Sequence, residues 1–140
     1  MERRSRYGAF GVLIREGNIL FTQKKSGPYK GKWGLPGGGF EFGETPEETL
    51  TRELVEECAL EIEGLNLLFP LTATGVYEKE GQTYGFHQIG LIYEVARFTE
   101  RQDLVKEELN KWALISALNK EELTPFAWQA LAKLKKDIHR

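Results

Sequence analysis

Glu53, Glu56 and Glu57, with Arg52 beside them, are the residues of this chain best placed to do chemistry. At about 100° per residue, positions i, i+3 and i+4 share one narrow helix face, so their carboxylates converge. Converging negative charges repel unless something positive lies between them. A hard divalent cation such as Mg²⁺, which prefers oxygen donors, answers that repulsion. Arg52 stands four residues before Glu56 and can pair with it. A solvated acidic face is the commoner fate of such a run, so the helix needs a second signal.

That signal lies upstream. Leu35-Pro36-Gly37-Gly38-Gly39 precedes the helix, with Glu41 and Glu44 in the connecting loop. A glycine loop feeding a helix N-terminus brings backbone N–H groups to an anion, which a metal then binds from its other side. Glycine loop, carboxylates and helix terminus together read as a diphosphate site.

The residues resemble the signature of the Nudix hydrolases, MutT-like members included. Gly38 and Glu44 stand at the signature spacing before Arg52-Glu53-Leu54-Val55-Glu56-Glu57-Cys58-Ala59-Leu60. Every defined position matches except Ala59, where the family has glycine. The match spans residues 38–60, and the likeness extends to Gly31-Lys32-Trp33 and to Thr124-Pro125-Phe126. A glycine at position 59 would ease a helix end with φ > 0; alanine takes that conformation at a cost of about 1 kcal/mol.

The resemblance implies hydrolysis of a phosphoanhydride in a nucleoside diphosphate linked to another group, with a nucleoside triphosphate as the leading substrate. ADP-ribose or a nucleotide sugar is the alternative, and a catalytically silent nucleotide-binding module is a third. It implies that Glu53, Glu56 and Glu57 hold Mg²⁺ or Mn²⁺, that Arg52 orients a glutamate, and that Glu44 supports the loop–helix geometry. Gly38 would approach the metal–phosphate assembly. Family members place the general base differently: Glu57 can serve from the helix, with Glu94, Glu100, Glu107 and Glu108 as alternatives outside the signature. Trp33, Tyr77 and Phe86 are the expected substrate contacts, since aromatic faces stack on bases. Tyr84 and His87 lie nearby, and Lys24, Lys25, Lys30 and Lys32 line the approach to the glycine loop.

The elements that position these residues follow from pattern. Tyr7–Arg15 and Ile19–Gln23 read as strands around the turn Glu16-Gly17-Asn18, and the stretch from Gly27 to Gly39 as loop with short extended pieces. Thr45 as N-cap, Pro46 as first helical residue and Glu48 as capping-box partner start a helix running to about Cys58, with Leu50, Leu54 and Cys58 as its buried stripe. Glu61–Leu71, Thr72–Tyr77 and Thr83–Val95 read as strands, with a turn over residues 79–82. Arg97–Lys111 reads as loop with some helix, Trp112–Ile115 as a short strand, and Thr124-Pro125 as the start of a last helix ending near Ile138. Trp112 and Trp128 are expected in the core. This order predicts an α+β fold, an α/β/α sandwich with a mixed sheet between helices, in one domain over residues 1–140.

Composition excludes other classes. With 19 basic and 21 acidic residues the net charge is −2, which argues against a protein coating a nucleic-acid backbone. No stretch approaches the roughly 20 apolar residues that span a bilayer. The single cysteine, Cys58, rules out an internal disulfide and a Cys-based zinc site. The resemblance implies a small nucleotide as the partner, and the cytoplasm is the expected compartment. A homodimer is the assembly the family's habits suggest, though no residue enforces it.

Overall fold

A computed structural model describes residues 1–138. Its elements are β1 (Glu2–Val12), β2 (Ile14–Arg15), β3 (Asn18–Gln23), β4 (Trp33–Gly34), β5 (Gly37–Gly39), α1 (Pro46–Cys58), β6 (Leu60–Lys79), β7 (Gln82–Glu100), β8 (Asn110–Leu114) and α2 (Pro125–Ile138). Two short 3₁₀ turns, Ile115–Ala117 and Lys120–Glu122, lie between β8 and α2.

Two sheets form. In the larger, of order β5-β1-β7-β6, β1 runs parallel to β7 while β5 and β6 pair antiparallel, so the sheet is mixed. In the smaller, β3 pairs with β2 and β4 on one edge and with β8 on the other. Alternation along each strand divides the core in two. Ala9, Leu13, Leu20, Tyr93 and Val95 face α1 and pack on Leu50, Leu54 and Cys58. Phe10, Val12, Ile19, Phe21 and Ile92 point the other way, onto Phe126, Ala127, Ala130 and Leu131 of α2. The helices therefore cover opposite faces of a mixed sheet, the expected α/β/α sandwich. Trp112 and Trp128 are half-buried against these two clusters. Among the described residues no helix is long and apolar enough to cross a membrane.

Three expectations are revised. The segment read as two strands with a break after Leu71 is one strand, β6, paired with β7 over its length. Its irregularity is a bulge between Leu67 and Phe69. Pro70 is tolerated there because β6 lies at the sheet edge, where a missing N–H costs no ladder bond. The span Arg97–Lys111 contains no helix: β7 runs on to Glu100, and the loop after it hydrogen-bonds instead to the end of α1, Glu107 N–H donating to the Glu56 carbonyl at 3.0 Å. The last short strand starts earlier than Trp112, at Asn110, because β3 extends the pairing to Thr22.

Candidate active site

Helix α1 begins where local chemistry says it must. The Thr45 hydroxyl accepts from the Glu48 N–H at 3.2 Å, and the Glu48 carboxylate accepts from the Thr45 N–H at 3.0 Å. It ends on Ala59 at φ 53°, ψ 40°, a left-handed cap whose N–H reaches the carbonyls of Leu54 and Val55. The backbone thus takes the glycine conformation at the position where the signature residue is absent.

Arg52 organises the acidic face. Its Nε and Nη2 donate to both oxygens of Glu44, at 2.8 and 3.0 Å, and Nη1 donates to Glu53 at 2.9 Å and to Glu56 at 3.4 Å. Such a bidentate, charge-assisted pair fixes both partners in orientation. Glu44 also accepts from the Thr49 hydroxyl at 2.8 Å and the Glu41 N–H at 3.0 Å. The Arg52 hydrogen bonds, then these two, pull the Glu44 carboxyl down to about 2. Glu44 therefore ties the loop to the helix.

The glycines make room for carboxylates. A Cβ built on Gly38 would lie 2.6 Å from Glu53 Cδ and 2.7 Å from its Oε1, so only glycine leaves the Glu53 carboxylate its seat. Gly37 donates its N–H to Glu57 Oε1 at 2.8 Å. Burial, the largest influence, pushes Glu57 up to about 8; neighbouring Glu53 and Glu108 add to the rise, while the Gly37 N–H and Lys24 oppose it. Glu53 is also raised, by burial against the pull of Arg52.

These are hard oxygen donors around a glycine cradle, and their chemistry fits a divalent cation. Glu53, Glu56 and Glu57 would supply the ligands. Among the described residues no three acidic, His or Cys side chains already stand at ligating distance. Arg52 holds Glu53 and Glu56, and Gly37 holds Glu57.

Beside this centre, on the α2 side of the sheet, lies a small cleft partly open to solvent. It is lined by Phe10, Tyr29, Leu35, Phe86 and Phe126, with Lys24, Gln88 and Thr124 as polar members. Of the aromatic residues singled out from the sequence, Phe86 lines the cleft, meeting Tyr29 edge-on at 5.7 Å. Tyr77 stacks on Tyr84 at 5.3 Å, further out along the β6–β7 hairpin. Trp33 packs against the α2-side core under Lys111, outside the residues lining the cleft. Of the alternative carboxylates, Glu107 and Glu108 are drawn to the end of α1. Asn110 Nδ2 bonds both the Glu57 and Glu108 carbonyls, at 3.0 and 2.9 Å. Glu94 and Glu100 stay exposed on β7. Tyr29 and Gln88 were not singled out from the sequence; the period of two from Phe86 through Gln88 to Gly90 was the signal for the latter.

A model of the NUDIX domain matches residues 4–136. The chain belongs to the NUDIX domain family. Within it, the chain is 28% identical over 131 residues to an 8-oxo-dGTP diphosphatase of Escherichia coli, covering 91% of this chain and 95% of that protein. It is 35% identical over 83 residues to an ADP-ribose pyrophosphatase of Methanocaldococcus jannaschii, covering 59% of this chain and 46% of the relative. A MutT NUDIX hydrolase from Burkholderia pseudomallei superposes with a TM-score of 0.71 at 27% identity, over 91% of this chain and 96% of the other. NUDIX hydrolases work with a divalent metal, and the Gly38–Glu53 cradle lies inside the segment that carries the family signature.

Proposed function

We propose that this NUDIX protein is a Mg²⁺-dependent nucleoside triphosphate pyrophosphohydrolase. The observation that carries the reading is the union of two features. The glycine-seated carboxylates Glu53 and Glu57 lie near enough to Lys24 for its charge to act on Glu57, and Lys24 also lines an aromatic cleft. That arrangement suits a phosphate chain lying beside the helix with its nucleobase in the cleft.

Mg²⁺, held by Glu53, Glu56 and Glu57, would supply positive charge against the phosphoryl oxygens. The chain's own residues do the rest. Arg52 fixes Glu53 and Glu56 in place, and Glu44 fixes Arg52. Glu57, with Oε1 on the Gly37 N–H, has Oε2 left to take the proton of the attacking water. Lys24 meets the phosphates electrostatically, and Phe86 bears on the base. One water is consumed, and a nucleoside monophosphate and pyrophosphate leave.

The relative matched along almost its whole length is the diphosphatase of a modified nucleoside triphosphate, which favours this reading. The ADP-ribose pyrophosphatase is more identical but is matched over less than half its length, and it supports the second reading, a nucleotide-sugar substrate. Product analysis separates them. Pyrophosphate and a monophosphate from a triphosphate support the first. AMP and ribose phosphate from ADP-ribose, with triphosphates left intact, would replace it with the second. The cytoplasm, where such nucleotides are held, is the compartment that goes with either.

A further inference from the structure

The cleft beside the carboxylates is apolar and aromatic on most of its walls, so its few polar groups decide which ligand it prefers. Four side chains could serve. Thr124 Oγ1 accepts from the Ala127 N–H at 3.1 Å and so is taken up in capping α2. Lys24 carries a charge that acts on the acidic centre, opposing the rise of Glu57, and offers only donors. The Tyr29 ring closes edge-on against Phe86, with its phenol held protonated by burial. Gln88, like Tyr29 and Lys24, has no side-chain hydrogen-bond partner among the described residues, and of the three it alone offers a donor and an acceptor on separate atoms in the cleft wall.

The strand register explains why it points there. Phe86, Gln88, Gly90 and Ile92 are alternate residues of β7 and share the face that meets α2. At Gly90 a Cβ would press on Phe126 and on the Phe10 ring, so glycine lets these two rings pack down onto the sheet directly beside Gln88 as an apolar floor. On β6, the residue paired with Gln88 is Ala73, another small side chain. A flat group can therefore reach the amide.

We infer that Gln88 reads the edge of the substrate's nucleobase and sets the base preference of the enzyme. This rests on the reading that the cleft takes the base. A carboxamide presents a donor and an acceptor side by side. It bonds twice to a base edge that offers the matching pair and once to an edge offering two acceptors. Such a doubled contact discriminates by about ten-fold or more against the wrong base. The surrounding aromatic walls grip any base and do not discriminate.

The test compares wild type with Gln88→Leu, which keeps bulk and removes both polar groups, and Gln88→Glu, which turns the donor into an acceptor. The four deoxynucleoside triphosphates and 8-oxo-dGTP are assayed for kcat and KM. The matching monophosphates are titrated by calorimetry without metal, and unfolding midpoints check that both variants fold. In wild type, monophosphate affinity depends on the base. In Gln88→Leu the spread between best and worst base shrinks about ten-fold through KM, with kcat held within two-fold, and in Gln88→Glu the rank order changes. Base-dependent monophosphate binding that Gln88→Leu flattens, without triphosphate turnover, would keep this contact and defeat the proposed reaction. An unchanged rank and spread in Gln88→Leu, or wild-type binding blind to the base, would overturn the contact.

Discussion

The segment from Gly37 to Ala59 and the cleft on the opposite face of the sheet are built in contrasting ways. In the first, nearly every functional group is held by a partner less than about one helix-and-loop away in sequence. Arg52 grips Glu44, Glu53 and Glu56, Gly38 seats Glu53, and Gly37 holds Glu57. In the second, Lys24, Tyr29, Phe86, Gln88 and Phe126 arrive from β7, α2 and the loop after β3, and only the packing of that helix and loop onto the sheet brings them together. On the proposed reading, reaction chemistry is local in the chain, whereas selection of the substrate is an outcome of the tertiary fold. Substitutions in the first region should therefore act on turnover, and those in the second on KM.

The largest effect belongs to Glu57→Gln. Loss of a positioned proton acceptor should lower kcat a hundred-fold or more in Mg²⁺ while far-UV dichroism is unchanged. Wild-type turnover in that variant would remove the helix carboxylate from the mechanism. Close behind comes Gly38→Ala, in which the new methyl meets the Glu53 carboxylate at 2.6–2.9 Å. Its activity should fall at least ten-fold, whereas Gly39→Ala, with only the Tyr7 carbonyl at 3.6 Å, should stay near wild type. Equal effects from the two would show that the seat of Glu53 is not what the glycine serves.

The cleft side of the contrast is tested by Phe86→Ala. Base stacking is worth about 1–3 kcal/mol, so KM should rise at least several-fold with little change in kcat. A fall in kcat with KM unchanged would erase the division of labour between the two regions. A subtler effect concerns the Glu44–Arg52 pair. Glu44 has its folded pKa depressed from 4.5 to about 2, so its contribution to stability is complete above about pH 4.5 and fades as the pH falls toward 2. Glu44→Gln should flatten that acid limb of the melting temperature, and an unaltered limb would deny the pair its role. The smallest effect is Ala59→Gly, expected to be neutral or stabilising by up to about 1 kcal/mol in urea unfolding, because φ at this cap is 53°.

The same contrast governs what could be read beforehand. Helix α1 was legible to the residue, since Thr45, Pro46 and Glu48 start it and the Leu50, Leu54 and Cys58 stripe is fully buried. The sandwich was legible as well, from the order of strands and helices, but the division of β1 and β3 between two faces was not, because both bury unbroken apolar runs. The continuity of β6 past Leu71 was not legible, because pairing with β7 carries the strand through a stretch that shows no uniform local pattern. Nor was the return of Asn110 and Glu107 to the end of α1, which depends on hydrogen bonds spanning about fifty residues. Phe86 was recognised as a candidate contact and Gln88 was not, since the period of two that sets it beside Phe86 gains meaning only once the opposite wall is in place.

The most direct test of the account is pyrophosphate release from a nucleoside triphosphate panel in Mg²⁺, comparing wild type with Glu56→Gln. The account predicts metal-dependent turnover in the wild type that is lost in the variant, with both proteins folded. Equal turnover in the two, or turnover in the wild type that survives removal of all divalent metal, would contradict it.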